Sequence, residues 1–151
     1  MVSLSKRVIT EIQDAIERER ASRLMYLAFA EQIVGPCSLA LAEHYQDHAG
    51  DEEEHEKSWL QLLNLIDVDA TTKTGDILEA KGNDEIFAAV REAEQENFDK
   101  YQRLYGMALE DDAFVVVAYL GPILQAEAHH LADAQSVVAS DDAEEADDVR
   151  T

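Results

Sequence analysis

Apolar residues recur at alternating spacings of three and four along four stretches of this chain, and that period predicts four long amphipathic helices. The first runs from about Ser3 to Val34, on a stripe of Leu4, Val8, Ile12, Ala15, Tyr26, Phe29 or Ala30, and Ile33. Gly35-Pro36 stops it, since glycine readily takes the left-handed turn that ends a helix and proline disfavours helix in the residue before it. The break is short, so the second helix folds back antiparallel. That helix is predicted from about Ser38, its N-cap, to Ile66, on a stripe of Leu41, Tyr45, His48, Glu52, His55, Trp59, Leu62 and Ile66. The third runs from about Asp84 to Leu109, with Phe87, Val90, Glu94, Phe98 or Asn97, Tyr101, Tyr105 and Ala108 in line. Glu110-Asp111-Asp112 supplies an acidic N-cap for the fourth, from about Ala113 to Ala139. Its stripe is Val116, Leu120 or Tyr119, Ile123, Glu127, His130, Ala134 and Val137. Gly121-Pro122 lies inside this helix and predicts a kink about one turn before Glu127.

Between the second and third helices the period is lost. DVDATTKTGDILEAKGND, residues 67–84, is polar and long for a bundle connection. A helix of about 27 residues is roughly 40 Å long, and eighteen extended residues reach about 60 Å. The segment can therefore run the length of the bundle and start the third helix parallel to the second. The predicted fold is all-α: a four-helix bundle of two antiparallel pairs joined by one long crossover. It occupies residues 1–139; residues 140–151 form an acidic tail without apolar periodicity, expected to be disordered.

Composition narrows the functional classes. Thirty-three acidic residues against twelve basic give a formal charge of −21. Nucleic acid and anionic membranes are polyanions and make poor partners for such a surface. The bulk of the charge reads as a solvated acidic surface of the kind suited to high salt. No apolar run is long enough to span a bilayer. The N-terminus becomes charged too early for a secretory signal, and one cysteine, Cys37, permits no internal disulfide and no thiolate metal knuckle. A cytoplasmic location is the default expectation.

What changes the picture is a set of polar residues on the apolar stripes. Glu52-x-x-His55 and Glu127-x-x-His130 each put a carboxylate and an imidazole on one helix face. Glu19 and Glu94 stand singly in the stripes of the first and third helices. Glu19 has an alternative, a surface pair with Arg23 one turn on. The flanking acids Asp51, Glu53, Glu54, Glu56, Glu92 and Glu96, and His129, fall off the stripes and read as solvated, with Glu96 also able to swing in as an additional ligand. His48 reads as a core histidine or as a residue on the way to the site. The six inward groups lie near the middle of their helices and can meet at one depth. Four carboxylates carry a charge of −4, which two divalent cations cancel; buried empty, they would take up protons. Mixed oxygen and nitrogen donors suit iron or manganese.

In these residues the chain resembles the ferritin-like superfamily, bacterioferritins most closely, over about residues 4–139. The Glu19 to Tyr26 spacing, both Glu-x-x-His pairs and the lone Glu94 carry the resemblance. It implies that Glu52 and Glu127 bridge two iron ions, while Glu19 with His55 and Glu94 with His130 cap one each. Tyr26 would stand beside them as a hydrogen-bond or redox partner, or serve as a core aromatic. Bacterioferritins carry a haem-ligating Met directly after the second-helix Glu; here that position is Glu53, so no haem is expected. The acidic tail stands where that family has an apolar fifth helix that helps close its cage, which leaves a homo-oligomer of either dimer or shell size. Rubrerythrins also share the bundle, but their Cys-rich iron domain has no counterpart here.

The leading expectation is a ferroxidase that oxidises Fe(II) with dioxygen or hydrogen peroxide, for storage or detoxification, with manganese as an alternative metal. A rubrerythrin-like peroxide reductase, an oxidase of an organic substrate and a metal-binding helical module without catalysis are the other readings.

Overall fold

The computed structural model describes the backbone of residues 2–148 and the side chains of residues 2–137. Its elements are four helices: α1 (Lys6–Gln32), α2 (Ser38–Leu65), α3 (Asn83–Glu110) and α4 (Phe114–Asp148). Among the described residues none of them is long and apolar enough to cross a membrane.

Local chemistry sets the ends. Helix α1 starts at Lys6 rather than Ser3, because Ser5 is extended and its hydroxyl accepts from the Val8 amide at 3.3 Å. Gly35, at φ 102°, turns the chain after α1. Ser38 does not cap α2: Cys37 holds that position without a side-chain bond, and the Ser38 amide closes the turn on the Gly35 carbonyl at 3.1 Å. Nor do Glu110 and Asp111 serve as a cap for α4. They bind Arg7 of α1, with Arg7 Nη2 3.1 Å from Glu110 Oε2. Arg7, with Ser5, holds the Asp111 carboxyl down at about 2. Helix α4 continues through Pro122 and extends to Asp148, beyond the end expected at Ala139. The tail expected over 140–151 falls outside the residues whose side chains are described.

α1 packs on α2 and α3 on α4, and the two pairs meet through α1 against α3 and α2 against α4. Two contacts fix the directions. The Asn83 side chain, at the start of α3, bonds both backbone groups of Val34 beyond the end of α1, at 3.1 and 2.8 Å. At the opposite end, Arg7 near the start of α1 holds Asp111 just past the end of α3. So α3 is antiparallel to α1 and parallel to α2, and the crossover runs the full length of the bundle, as its length required.

The crossover is polar because it lies along the polar flank of α1. Gln13 brackets it, donating to the Asp69 carbonyl at 2.7 Å and accepting from the Thr71 amide at 2.6 Å. Arg20 donates to the carbonyls of Thr71 and Lys73 at 2.7 and 2.8 Å and to Glu56 of α2 at 2.6 Å. Glu56 is thus buried and paired, contrary to its expected place among the solvated acids. At Gly75 the backbone comes so close to α1 that a Cβ would sit 3.0 Å from the Glu17 carbonyl oxygen.

The core divides into two apolar halves. One gathers Ile12, Ile16, Trp59, Leu62, Leu104 and Leu120; the other gathers Met25, Phe29, Tyr45, Ile86, Val90 and Ala134. On α3, Asn97 is the buried one of the two residues Phe98 and Asn97 offered at that place, and Leu104 is buried where Tyr105 had been expected; Tyr105 is exposed. The layer between the halves is polar.

Candidate metal centre

All six polar residues of the stripes lie in that layer, one Glu from each helix and one His each from α2 and α4. Glu52, Glu94 and Glu127 are 0 % exposed and Glu19 is 1 %, a depth at which a carboxylate without a partner is costly. Glu19 does not pair with Arg23, which faces Glu53 and Glu56 instead.

The two imidazoles mark the two ends of the site. His55 Nδ1 lies 3.0 Å from Glu52 Oε2, 3.2 Å from Glu127 Oε1 and 3.6 Å from Glu19 Oε2. His130 Nδ1 lies 3.3 Å from Glu52 Oε1 and 3.8 Å from both Glu94 Oε2 and Glu127 Oε2. Glu52 and Glu127 therefore stand between the histidines, each turning one oxygen to His55 and the other to His130. Two donor sets result, Glu19-Glu52-His55-Glu127 and Glu52-Glu94-Glu127-His130; within each, donor atoms lie within 4.8 Å of one another. Each set can hold a metal ion, and both sets contain Glu52 and Glu127.

The donor atoms are left open. Among the described residues, Glu19 Oε2, Glu52 Oε1, Glu94 Oε2, both Glu127 oxygens and His130 Nδ1 are buried without a hydrogen bond. Native interiors seldom leave so many polar atoms unpaired in one place unless an ion or water completes them. Divalent cations fit this donor set, since they supply the missing positive charge and accept oxygen and nitrogen lone pairs together.

A surrounding layer orients these groups. The Tyr26 hydroxyl donates to Glu94 Oε1 and the Tyr101 hydroxyl donates to Glu19 Oε1. Trp59 Nε1–H donates to the Tyr101 oxygen at 3.0 Å, and His48 Nδ1 lies 3.2 Å from the Tyr26 oxygen. His130 Nε2 lies 3.0 Å from Asp51 Oδ2, so Asp51 can accept from Nε2–H, which keeps the proton on Nε2 and leaves Nδ1 with its lone pair facing the site. Tyr26 thus reaches the polar layer through Glu94. Tyr101 was expected on the inward stripe but without a hydrogen-bonding role, and Asp51 was expected in solvent. A signal existed for Tyr101, which follows Glu94 by the same seven residues that separate Tyr26 from Glu19. Asp51 gave none, being an exposed acid among other exposed acids. Glu96 and His129 are exposed and belong to neither donor set.

Without metal, the electrostatics work against ionisation. Burial, then the charges of Glu52 and Glu19, push Glu127 up to about 8. Burial and neighbouring carboxylates likewise raise Glu52 and Glu94 well above the carboxylate range. Burial would raise Glu19 too, but His55 and its hydrogen bonds bring it below its ordinary value. Burial opposes a charge on His55, yet Glu127, Glu19 and Glu52 outweigh it and hold the ring protonated. His48, by contrast, is kept neutral by burial and by the neighbouring His130 and His44, with its pKa brought down to about 3. Protons thus occupy part of the space that cations would take, and binding a metal must release them.

The protein-family comparison agrees with this construction: a family model of the ferritin-like domain matches residues 9–142. No curated protein matches the chain. The match takes in most of all four helices and every residue of the polar layer, and on that extent the chain belongs to the ferritin-like family.

Proposed function

We propose that the protein is a di-iron ferroxidase, binding two Fe(II) per chain and oxidising them with dioxygen or hydrogen peroxide. The observation that carries the reading is the way Glu52 and Glu127 each turn one oxygen toward His55 and the other toward His130. Two carboxylates shared by two donor sets are suited to a pair of ions. A single structural ion would need only one set.

In this reading Glu19 and His55 complete one position and Glu94 and His130 the other. Each Fe(II) gives up one electron. Dioxygen takes both, with two protons, and leaves as hydrogen peroxide; hydrogen peroxide as oxidant takes both, with two protons, and leaves as two waters. The residues contribute preorganised negative charge where positive charge increases, so little rearrangement is needed as the metal is oxidised. Tyr26 and Tyr101 keep Glu94 and Glu19 aimed inward. Asp51 fixes the tautomer of His130. The apolar layers on both sides exclude bulk water from the site.

The test is an anaerobic Fe(II) titration followed by exposure to each oxidant. Two irons per chain at saturation and rapid oxidation are expected, with both lost in Glu52→Ala and Glu127→Ala. Sizing the same sample separates the downstream roles. A large assembly that takes up many more irons acts in storage; a dimer that stops at two acts in peroxide consumption. Binding unaffected by either substitution would remove the reading.

A further inference from the structure

Beside the centre, toward the start of α2, lies a group of side chains that the six-residue site does not use. His44 and His48 stand one turn apart on α2 and face Asp133 of α4. Nε2 of each imidazole lies 3.6 Å from the same oxygen, Asp133 Oδ2. That separation is beyond hydrogen-bonding reach, so the three groups converge without satisfying one another. It is, however, close to the distance between neighbouring donors around one tetrahedral ion, roughly 3.3–3.6 Å for ligands at 2.0–2.2 Å. The three donors together lie within 4.8 Å of one another.

The surroundings prepare His48 as a ligand. Tyr26 donates its own proton to Glu94, so its oxygen is free to accept from His48 Nδ1–H at 3.2 Å. This leaves the lone pair on Nε2, the atom facing Asp133, in the arrangement by which an outer partner fixes a metal-binding histidine. His44 is packed against it with ring centroids 4.1 Å apart, and is half-exposed, which gives the group access to solvent.

We propose that His44, His48 and Asp133 form a separate outer site for one divalent transition-metal ion. Two imidazoles and one carboxylate select such ions over magnesium or calcium, which prefer all-oxygen shells. The site stands at the solvent side of the His130 end of the centre. His48 stacks on His130, with centroids 4.0 Å apart and the planes 18° from parallel. His48 also groups with Glu94 and His130 in a fourth donor set, between the outer site and the centre. Consecutive sets share a residue from the half-exposed His44 inward to Glu94, so an ion can move inward while one ligand stays attached. The outer site therefore serves to load the buried one. This loading role rests on the ferroxidase reading above; the binding itself does not.

The test is a titration of the metal-free protein with Co(II), followed by calorimetry and by the visible absorption of bound cobalt. His44→Ala and Asp133→Asn should each bind one ion fewer per chain than the unaltered protein and fold normally, as both side chains are partly or largely exposed. Glu127→Ala should keep that ion, and adding His44→Ala to it should remove it. Equal uptake by the unaltered protein and by both His44→Ala and Asp133→Asn overturns the outer site. A loss in these two variants while Glu127→Ala changes nothing keeps the outer site and removes the inner centre. Stopped-flow oxidation adds the kinetic readout: His44→Ala should slow iron loading severalfold at low Fe(II) and leave the final amount oxidised unchanged. An unchanged loading rate overturns the loading role.

Discussion

The Tyr101 hydroxyl, on α3, donates to Glu19 on α1, while Tyr26 on α1 donates to Glu94 on α3. Each helix carries a Glu and a Tyr seven residues apart, and the pairs are exchanged across the α1–α3 interface. Two antiparallel helices crossing at the level of the glutamates bring each tyrosine beside the partner's carboxylate. Tyr101→Phe removes the donor to Glu19 and also the acceptor of Trp59 Nε1–H, which is fully buried. A loss of about 1–3 kcal/mol in folding stability is expected, the usual cost of an orphaned buried donor. Tyr26→Phe likewise removes the donor to Glu94 and the acceptor of His48 Nδ1, but His48 is less completely buried than Trp59 and can carry its proton on the other ring nitrogen, so it should cost less. Chemical denaturation of both metal-free variants checks the order; equal stabilities would contradict it.

Asp51 should matter for metal and not for folding. It is exposed, but holds Nε2 of His130 at 3.0 Å. Asp51→Ala releases the tautomer and orientation of that ring. Removing such outer partners costs about 10–100-fold in metal affinity. Calorimetry should show one of the two ions weakened to that extent and the thermal midpoint of the metal-free protein little changed.

The pH dependence of the metal-free protein follows from the raised carboxyls. A group whose pKa is higher in the folded state holds its proton more tightly there, so the stability it contributes is lost as pH rises from its unfolded value. For Glu127 that window runs from about 4.5 to about 8, and Glu52 and Glu94 act in the same direction. His55 adds to the decline above about 6.5. Glu19, lowered, opposes it only below about 4.5, and His48, lowered to about 3, opposes it only up to about 6.5, which leaves the carboxyls and His55 to set the direction at higher pH. The metal-free protein is therefore expected to melt at a higher temperature at pH 5.5 than at pH 8. Glu127→Gln should flatten the slope, and Mn(II) should reverse it, because the ions replace the protons. Calorimetry with chelator and with Mn(II) measures all three.

Arg20 ties three segments together. Its guanidinium binds Glu56 of α2 and the carbonyls of Thr71 and Lys73 in the crossover, and both charged side chains are largely buried. Arg20→Ala leaves Glu56 with the more distant Arg23 at 3.7 Å. Breaking a buried pair from one side costs about 3–5 kcal/mol. Some solvent reaches this one, so about 2–3 kcal/mol is expected, with faster hydrogen exchange over residues 69–75. A thermal midpoint within a degree of the original would count against this role.

The sequence by itself determined the four helices, their antiparallel pairing and the long crossover, because a repeat of three and four apolar residues imposes one buried face per helix. It also determined which six polar groups share the buried layer. A carboxylate or imidazole standing in an apolar stripe has no solvent to face, so its position in the stripe carries most of its address. Residues off the stripes were not legible in this way. Glu56 and Asp51 look alike in sequence, as exposed acids on α2, yet Arg20 buries the first and His130 engages the second. The exchange of tyrosines between α1 and α3, and the meeting of His44, His48 and Asp133, depend on how the helices are rotated and offset against one another. Periodicity gives each helix a face but not its rotation to within one side chain or its axial offset against a neighbour. The tight packing of the two apolar halves sets those, and with them every contact that joins one helix to another.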